Sequence, residues 1–180
     1  IARYRDTITA FNGGWHDAGD LSQQLIQSME LTASLIEMAK SIQTSNEYLY
    51  ARLLEECEWG VDFILKTRFG DGNRATSAGV TRWSNNRIED FDDSYARVHN
   101  TPYENFLGAG IEAYIASLLP ANNRLKAKLH QIAIEDFNFA MQAFEKNPYA
   151  TTPIFWEHTT NTSTSIYDAT ITVAAVLLFQ

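Results

Sequence analysis

Five long segments of this 180-residue chain repeat apolar side chains every three to four positions, which is the spacing of one face of an α-helix. Strand patterns are at most weak and local, so the sequence predicts an all-α fold. The predicted helices cover residues 20 to about 41, 46–68, 102–120, 122 to about 146, and 165–180.

The ends and faces of these segments add further expectations. Asp20, followed three positions later by Gln23, has the capping-box pattern of a helix start.

The second segment is apolar on two faces, so Trp59 is expected in the core. Residues 70–102 and 147–163 show no sustained period, and the first of them is expected to be a long loop or a set of short turns. Helix pairs of similar length are typical of a helical toroid or solenoid, and the length fits one domain.

Composition excludes several classes of partner. The chain has 14 Lys and Arg against 22 Asp and Glu, a formal net charge of −8, which does not suit nucleic acid or an anionic membrane surface. Its apolar stretch at residues 171–179 is about half of the roughly 20 residues that span a bilayer, so no membrane insertion is expected. With Cys57 as the single cysteine, no internal disulfide can form. The many aromatic residues suit a neutral ligand.

One segment, immediately before the first predicted helix, points to catalytic chemistry. It reads Asn12-Gly13-Gly14-Trp15-His16-Asp17-Ala18-Gly19-Asp20. Its glycines allow positive φ angles and the close approach of a ligand. A helix N-terminus beside Asp17 and Asp20 keeps both carboxylates ionised at neutral pH, and such a pair can hold and deprotonate a water molecule. From composition alone, the alternative is a glycine-rich turn in which Asp20 only caps the helix.

The string from Gly13 to Asp20 closely resembles the signature near the start of the catalytic domain in glycoside hydrolase family 9, the endoglucanase-type cellulase family. The stretch Glu56-Cys57-Glu58-Trp59-Gly60-Val61-Asp62-Phe63-Ile64-Leu65-Lys66 resembles the second helix of that family. Two further stretches fall where the family has a Gly-Asp-Gly loop and an aromatic residue of the cleft wall, namely Asp71-Gly72-Asn73 and Arg82-Trp83. The resemblance covers most of residues 12–118, and beyond residue 120 only the helical rhythm matches.

This resemblance implies part of an (α/α)6 barrel, a toroid of six helical hairpins with a substrate cleft at one end. It also implies inverting hydrolysis of a β-linked glucan or a related polysaccharide, with Asp20 as general base and Asp17 positioning the water. The general acid of the family, a glutamate close to the C-terminal end of the domain, matches no residue of this chain. Residues 1–180 are therefore expected to be the N-terminal portion of a single catalytic domain, inactive alone, with the rest of that domain as its partner.

The acid has no good substitute within the chain. An inverting enzyme holds its acid and base about 6.5–9.5 Å apart, so that a water fits between base and sugar. Asp17 and Asp20 are too close in sequence to take both roles. Glu112 is expected to be structural or exposed, and Glu104 lies in a first helical turn, where the dipole lowers its pKa. Glu157 is the least unsuitable alternative.

Four other residues are predicted to contact the substrate. Trp15 and Trp83 can stack on sugar rings. His16 stands where the family has an aromatic ring, and His99 can reach the cleft from the long loop. The alternative for His99 is an ordinary hydrogen-bonded loop histidine.

No metal or other cofactor is expected. His16, Asp17 and Asp20 lack the spacing of a helical metal motif. The acidic cluster at residues 89–93 lacks the pattern of a calcium-binding EF-hand loop, so structural calcium is unsupported.

Two other functions remain open at this level. The first is a non-catalytic carbohydrate-binding helical domain, and the second is an (α/α)6 polysaccharide lyase or phosphorylase-like enzyme. In each case the expected partner is a polysaccharide or oligosaccharide. Because a polymer cannot cross the cytoplasmic membrane, a secreted, periplasmic or cell-surface location is expected.

Overall fold

The computed structural model describes residues 2–4, 7–9, 13–16, 23–79, 95–150 and 163–179. Within these residues the chain forms five helices and five short strands. The helices are α1 (Leu25–Ile42), α2 (Glu47–Lys66), α3 (Pro102–Leu118), α4 (Leu125–Lys146) and α5 (Thr164–Leu178). The strands are β1 (Ala2–Tyr4), β2 (Thr7–Thr9), β3 (Gln23–Gln24), β4 (Arg74–Gly79) and β5 (Tyr95–His99).

The helices pack in an inner and an outer layer. α1 lies against α2, and α3 lies against α4. α1 also contacts α3, and α3 contacts α5, so these three helices stand side by side with α2 and α4 outside them. α3 is buried on most of its surface, as befits an inner helix. Among the described helices, none is both long and apolar enough to cross a bilayer.

The core fills the space between the layers. Fully buried side chains of α1, α2 and α3 form one cluster, whose largest members include Met29, Ile36, Phe63, Ile64 and Ile115. A second cluster joins α3, α4 and α5. In it the Phe106 ring meets Phe137, Phe144 and Tyr167 at centroid distances of 5.4, 6.2 and 6.5 Å, each in an edge-on geometry.

Four of the five predicted helices have ends within a few residues of those observed, but the predicted start of the first helix is wrong. α1 begins at Leu25, and its N-cap residue Gln24 makes no capping bond through its side chain. Gln23, the expected partner in a capping box, instead pairs with Ala78 of β4. Pairing with a distant strand has overridden the local capping pattern. Asp20 itself lies outside the described residues.

The expectation of a loop or short turns across residues 70–102 is also corrected, because β4 and β5 form an antiparallel pair there. Strand β4 reads Arg-Ala-Thr-Ser-Ala-Gly, and its consecutive residues Ala75, Thr76 and Ser77 are all buried. Small residues covered on both faces leave no alternation of apolar and polar side chains. The strand therefore gave no period-two signal.

The sheet of β3, β4 and β5 sets the direction of two inner helices. β4 lies between β3 and β5 and is antiparallel to both, so β3 and β5 run parallel to each other. β3 leads directly into α1, and β5 is followed within three residues by α3. Both helices therefore begin at the same edge of the sheet. The glycine-rich motif precedes β3 in the sequence.

Candidate active site

Residues 13–16, the described part of the glycine-rich motif, lie against α2. Gly13 and Gly14 have φ values of 105° and 65°, a backbone region that other residues rarely adopt. Their backbone also passes close to the Phe63 ring, since a Cβ atom at Gly14 would lie 2.7 Å from the Phe63 Cγ. The expected positive φ is observed at both positions, and the close approach is made to α2.

Side chains of two elements hold the carbonyl groups of this segment. The Nε1–H of Trp59 on α2 donates to the Gly14 carbonyl oxygen at 2.9 Å. The Nε2–H of Gln23 on β3 donates to the Gly13 carbonyl oxygen at 2.5 Å. Each bond fixes the orientation of one peptide group. The path of the backbone that leads into the acidic half of the motif is thereby set by α2 and β3.

Trp15 is half-buried and anchored at both ends of its indole. Its Nε1–H donates to the Glu56 Oε1 at 2.9 Å. The far edge of the ring covers Gly60, where a Cβ atom would lie 2.6 Å from the Trp15 Cη2 and 2.1 Å from the Thr32 Oγ1. Because Gly60 has no side chain, α1, α2 and the Trp15 indole can contact one another there. Stacking of Trp15 on a sugar stays a prediction, and His16 beside it is exposed.

Trp59 does not lie in the core, contrary to the prediction from the two-faced helix. Its side chain is 48% exposed, whereas Phe63 is buried. The reason is that a thin glycine-rich segment covers this face of α2, and such a segment cannot bury a whole indole. Sequence reasoning missed this contact surface, although Glu56, Trp59, Gly60 and Phe63 recur with the i, i+3, i+4, i+7 spacing of one helical stripe.

The other predicted substrate and catalytic residues are described only in part. His99 is half-buried at the end of β5, opposite Arg74 of β4, and belongs to a strand where a loop was expected. Asp17, Asp20 and Trp83 lie outside the described residues. Their roles stay predictions.

The same applies to Glu157 and to the acidic cluster at residues 89–93, which also lie outside the described residues. Glu104 does lie in the first turn of α3, and it is buried there. Within the described part of the chain, no group of three or more His, Cys, Asp or Glu side chains is placed to hold a metal ion.

A buried ionic cluster ties the sheet to the helices. Arg74, the first residue of β4, donates through Nη2 to the Glu112 Oε1 of α3 at 2.6 Å and to the Asp136 carboxylate of α4. Arg68 also binds Asp136 through two hydrogen bonds. Its Nε donates to Oδ2 and its Nη2 donates to Oδ1, each at 2.8 Å. Gly108 makes room for the Arg74 guanidinium, since a Cβ atom there would lie 3.0 Å from Nη2. Glu112 is completely buried, so its role is structural.

The two carboxylates of this cluster differ in charge. Burial disfavours ionisation of Asp136, but Arg74 and Arg68 hold its pKa below the ordinary value. At Glu112, burial outweighs the attraction of Arg74 and raises the pKa to about 8. The folded protein therefore carries a proton on Glu112 at neutral pH. Asp136 pairs with both guanidinium groups, and Glu135 also pairs with Arg68.

Because the pKa of Glu112 is raised in the folded protein, the free energy of unfolding is expected to fall as the pH rises. The unfolded chain loses this proton near the ordinary pKa of 4.5, whereas the folded chain keeps it up to about pH 8. Between these values the folded state binds more protons, so stability falls with a slope of at most about 1.4 kcal/mol per pH unit.

Urea unfolding of the full-length protein and its Glu112→Gln variant, from about pH 5 to about pH 9, checks this slope. Glutamine keeps an oxygen that can accept from Arg74 but has no proton to lose. The stability of the variant should therefore depend less on pH than that of the wild type. Equal slopes for the two proteins would contradict the assignment.

Comparison with known proteins bears on the family and the fold. The sequence model of the family named glycosyl hydrolase family 9 matches residues 4–180. A crystal structure of a metagenome-derived glycoside hydrolase family 9 endoglucanase matches with a TM-score of 0.65 at 19% sequence identity. The match covers 96% of this chain and 33% of that one, so the chain spans about a third of its length. No curated protein matches the chain.

At this level of identity the structural match shows the shared fold alone. It agrees with the inner and outer helical layers and confirms the predicted all-α architecture as part of an (α/α)6 barrel. The family model covers the glycine-rich motif, α2 and all the later helices. The chain belongs to glycosyl hydrolase family 9.

Proposed function

We propose that this protein hydrolyses O-glycosidic bonds in a β-linked glucan or a related polysaccharide, with inversion at the anomeric carbon. The observation that carries the proposal is the family match over residues 4–180, which includes Asp17 and Asp20. The solved structure with the same fold is an endoglucanase, which supports a glucan as the substrate class. The net charge of −8 also suits an uncharged polymer.

In the proposed mechanism Asp20 is the general base. It takes a proton from a water molecule that Asp17 holds in place, and this water attacks the anomeric carbon from the face opposite the leaving group. A glutamate in the rest of the catalytic domain donates a proton to the leaving oxygen. The fixed peptide groups of Gly13 and Gly14 support this assignment, because a base must stay within hydrogen-bond reach of the water it deprotonates.

Trp15, His16, Trp83 and His99 are proposed to line the substrate cleft. Residues 1–180 are proposed to be the N-terminal portion of the catalytic domain, inactive without the rest. The exposed apolar side chains on α5 and at its C-terminal cap support this arrangement. They are Val173, Val176 and Phe179, which are 54%, 50% and 77% exposed, and further helices of the domain would cover them. A polymeric substrate places the protein outside the cytoplasmic membrane.

The test is to incubate the full-length protein with a soluble β-glucan and to record proton NMR spectra of the first products. Hydrolysis with inversion releases the α-anomer before mutarotation. Initial release of the β-anomer would contradict inversion. Binding without new reducing ends would favour a carbohydrate-binding domain. Unsaturated products that absorb in the near ultraviolet would indicate a lyase, and a requirement for phosphate would indicate a phosphorylase.

A further inference from the structure

One stripe of α2 touches the described part of the motif at three consecutive residues. Phe63 lies under Gly13 and Gly14, and Trp59 binds the Gly14 carbonyl. The next residue, Trp15, covers Gly60 and donates to Glu56, as described above. Residues spaced i, i+3, i+4 and i+7 share one face of a helix, so a rigid element supplies all of these contacts.

On the α2 side, the two polar contacts of this stripe come from side chains that are not buried. Trp59 is half-exposed, and Glu56 is exposed. Water could therefore replace the lost partner of the Trp59 N–H or of the Glu56 carboxylate at little cost in stability. What the contacts do change is geometry, because an indole N–H that points at one carbonyl oxygen sets the orientation of that peptide group.

We propose that Trp59 and Glu56 are positioning residues for the catalytic segment. Trp59 orients the Gly14 peptide directly, and Glu56 holds Trp15, which lies two residues before Asp17. The inference rests on the proposed function, in which Asp17 and Asp20 handle the attacking water. A displacement of about 1 Å in such a group can lower the rate by about 100-fold.

The test of Trp59 is the Trp59→Phe variant of the full-length protein, which keeps an aromatic ring on α2 but replaces the indole by a smaller ring without an N–H. We expect kcat on a soluble β-glucan to fall by about 10-fold to 100-fold with KM nearly unchanged, measured well below the unfolding temperature. The matched control is Tyr48→Phe, which removes a polar group from an exposed ring on the same helix and is expected to leave kcat unchanged. An unchanged kcat in Trp59→Phe would overturn the proposal, and a raised KM alone would make Trp59 a substrate contact instead.

Glu56 offers a rescue experiment. Glu56→Ala removes the acceptor for the Trp15 N–H and is expected to lower kcat by several-fold, on the order of 10-fold at most. Glu56→Gln keeps an oxygen at the same place and is expected to retain most of the wild-type kcat. Equal losses in the two variants would show that the charge matters rather than the contact, and would overturn this part of the proposal.

Hydrogen exchange separates a failure of this proposal from a failure of the proposed function. Exchange of the peptide spanning residues 13–24 is expected to quicken by several-fold, roughly 10-fold, in Trp59→Phe, while the core of α2 near Ile64 stays protected. This measurement needs no substrate. If the wild type releases no sugar, the proposed function fails, and faster exchange still supports positioning. Unchanged exchange overturns the positioning role even in an active enzyme.

Discussion

Asp20→Asn is expected to lower kcat on a soluble β-glucan by about 10²–10⁴-fold, which is the usual contribution of a general base. Asparagine has nearly the shape of aspartate but cannot accept a proton from water at neutral pH. KM should change little, because the substrate can still occupy the cleft. Steady-state kinetics of the full-length protein, with folding checked by thermal unfolding, measure the effect. Turnover like that of the wild type would reject Asp20 as the base.

Two controls sharpen this experiment. Asp62→Asn makes the same chemical change at an exposed residue of α2 that pairs with Lys66, and it is expected to leave kcat unchanged. Azide is a nucleophile that needs no deprotonation. If Asp20 acts as the base, azide should restore part of the rate of Asp20→Asn and give a glycosyl azide. Loss of activity without rescue, together with a lower unfolding temperature, would point to damage of the fold instead.

Arg74→Met is expected to destabilise the protein by about 3–5 kcal/mol, because it breaks the buried ion pair with Asp136 and removes the hydrogen-bond donor to buried Glu112. Arg74 and Glu112 are 1% and 0% exposed, so water cannot replace the lost contact. Asp136 keeps Arg68, whereas Glu112 has no second cation within hydrogen-bond distance among the described residues. Urea unfolding at one fixed pH measures the loss in the free energy of unfolding.

The matched control is Arg52→Met, which breaks an exposed pair with Glu55 on α2 and is expected to cost at most about 1 kcal/mol. The double variant Arg74→Met with Glu112→Leu should recover part of the loss, because it also removes the buried carboxyl that has lost its hydrogen-bond donor. Similar costs at Arg74 and Arg52 would show that the buried cluster contributes no more than a surface pair.

The sequence predicted the ends of the helices well where they depend on residues close by in the sequence. Proline suits the first turn of a helix, and α3 begins at Pro102, where it was expected. The start of α1 was misplaced because strand pairing between Gln23 and Ala78, which are far apart in sequence, competes with a local cap. A pattern read within a short stretch of sequence gives no information about such a distant pairing.

The candidate site was predictable to a similar degree. The motif around Gly13 and Gly14 identified the family, and the positive φ angles followed from the glycines. Trp59 was placed in the core because helical periodicity shows which residues share a face but not what covers that face. The ionic cluster of Arg74, Glu112 and Asp136 was missed, since its members come from three elements and have no common spacing.

Because the glycine-rich segment is attached to α2, the helix that holds this segment belongs to a different layer from the inner helices. Its contacts with Trp59 and Phe63 come from α2 in the outer layer, whereas α1, α3 and α5 form the inner row. If the inner row lines the proposed substrate cleft, substitutions along it can change the sugar that is bound while the contacts with α2 stay in place. Such a fold can diversify its substrates during evolution without having to rebuild the backbone that leads to the proposed catalytic residues Asp17 and Asp20.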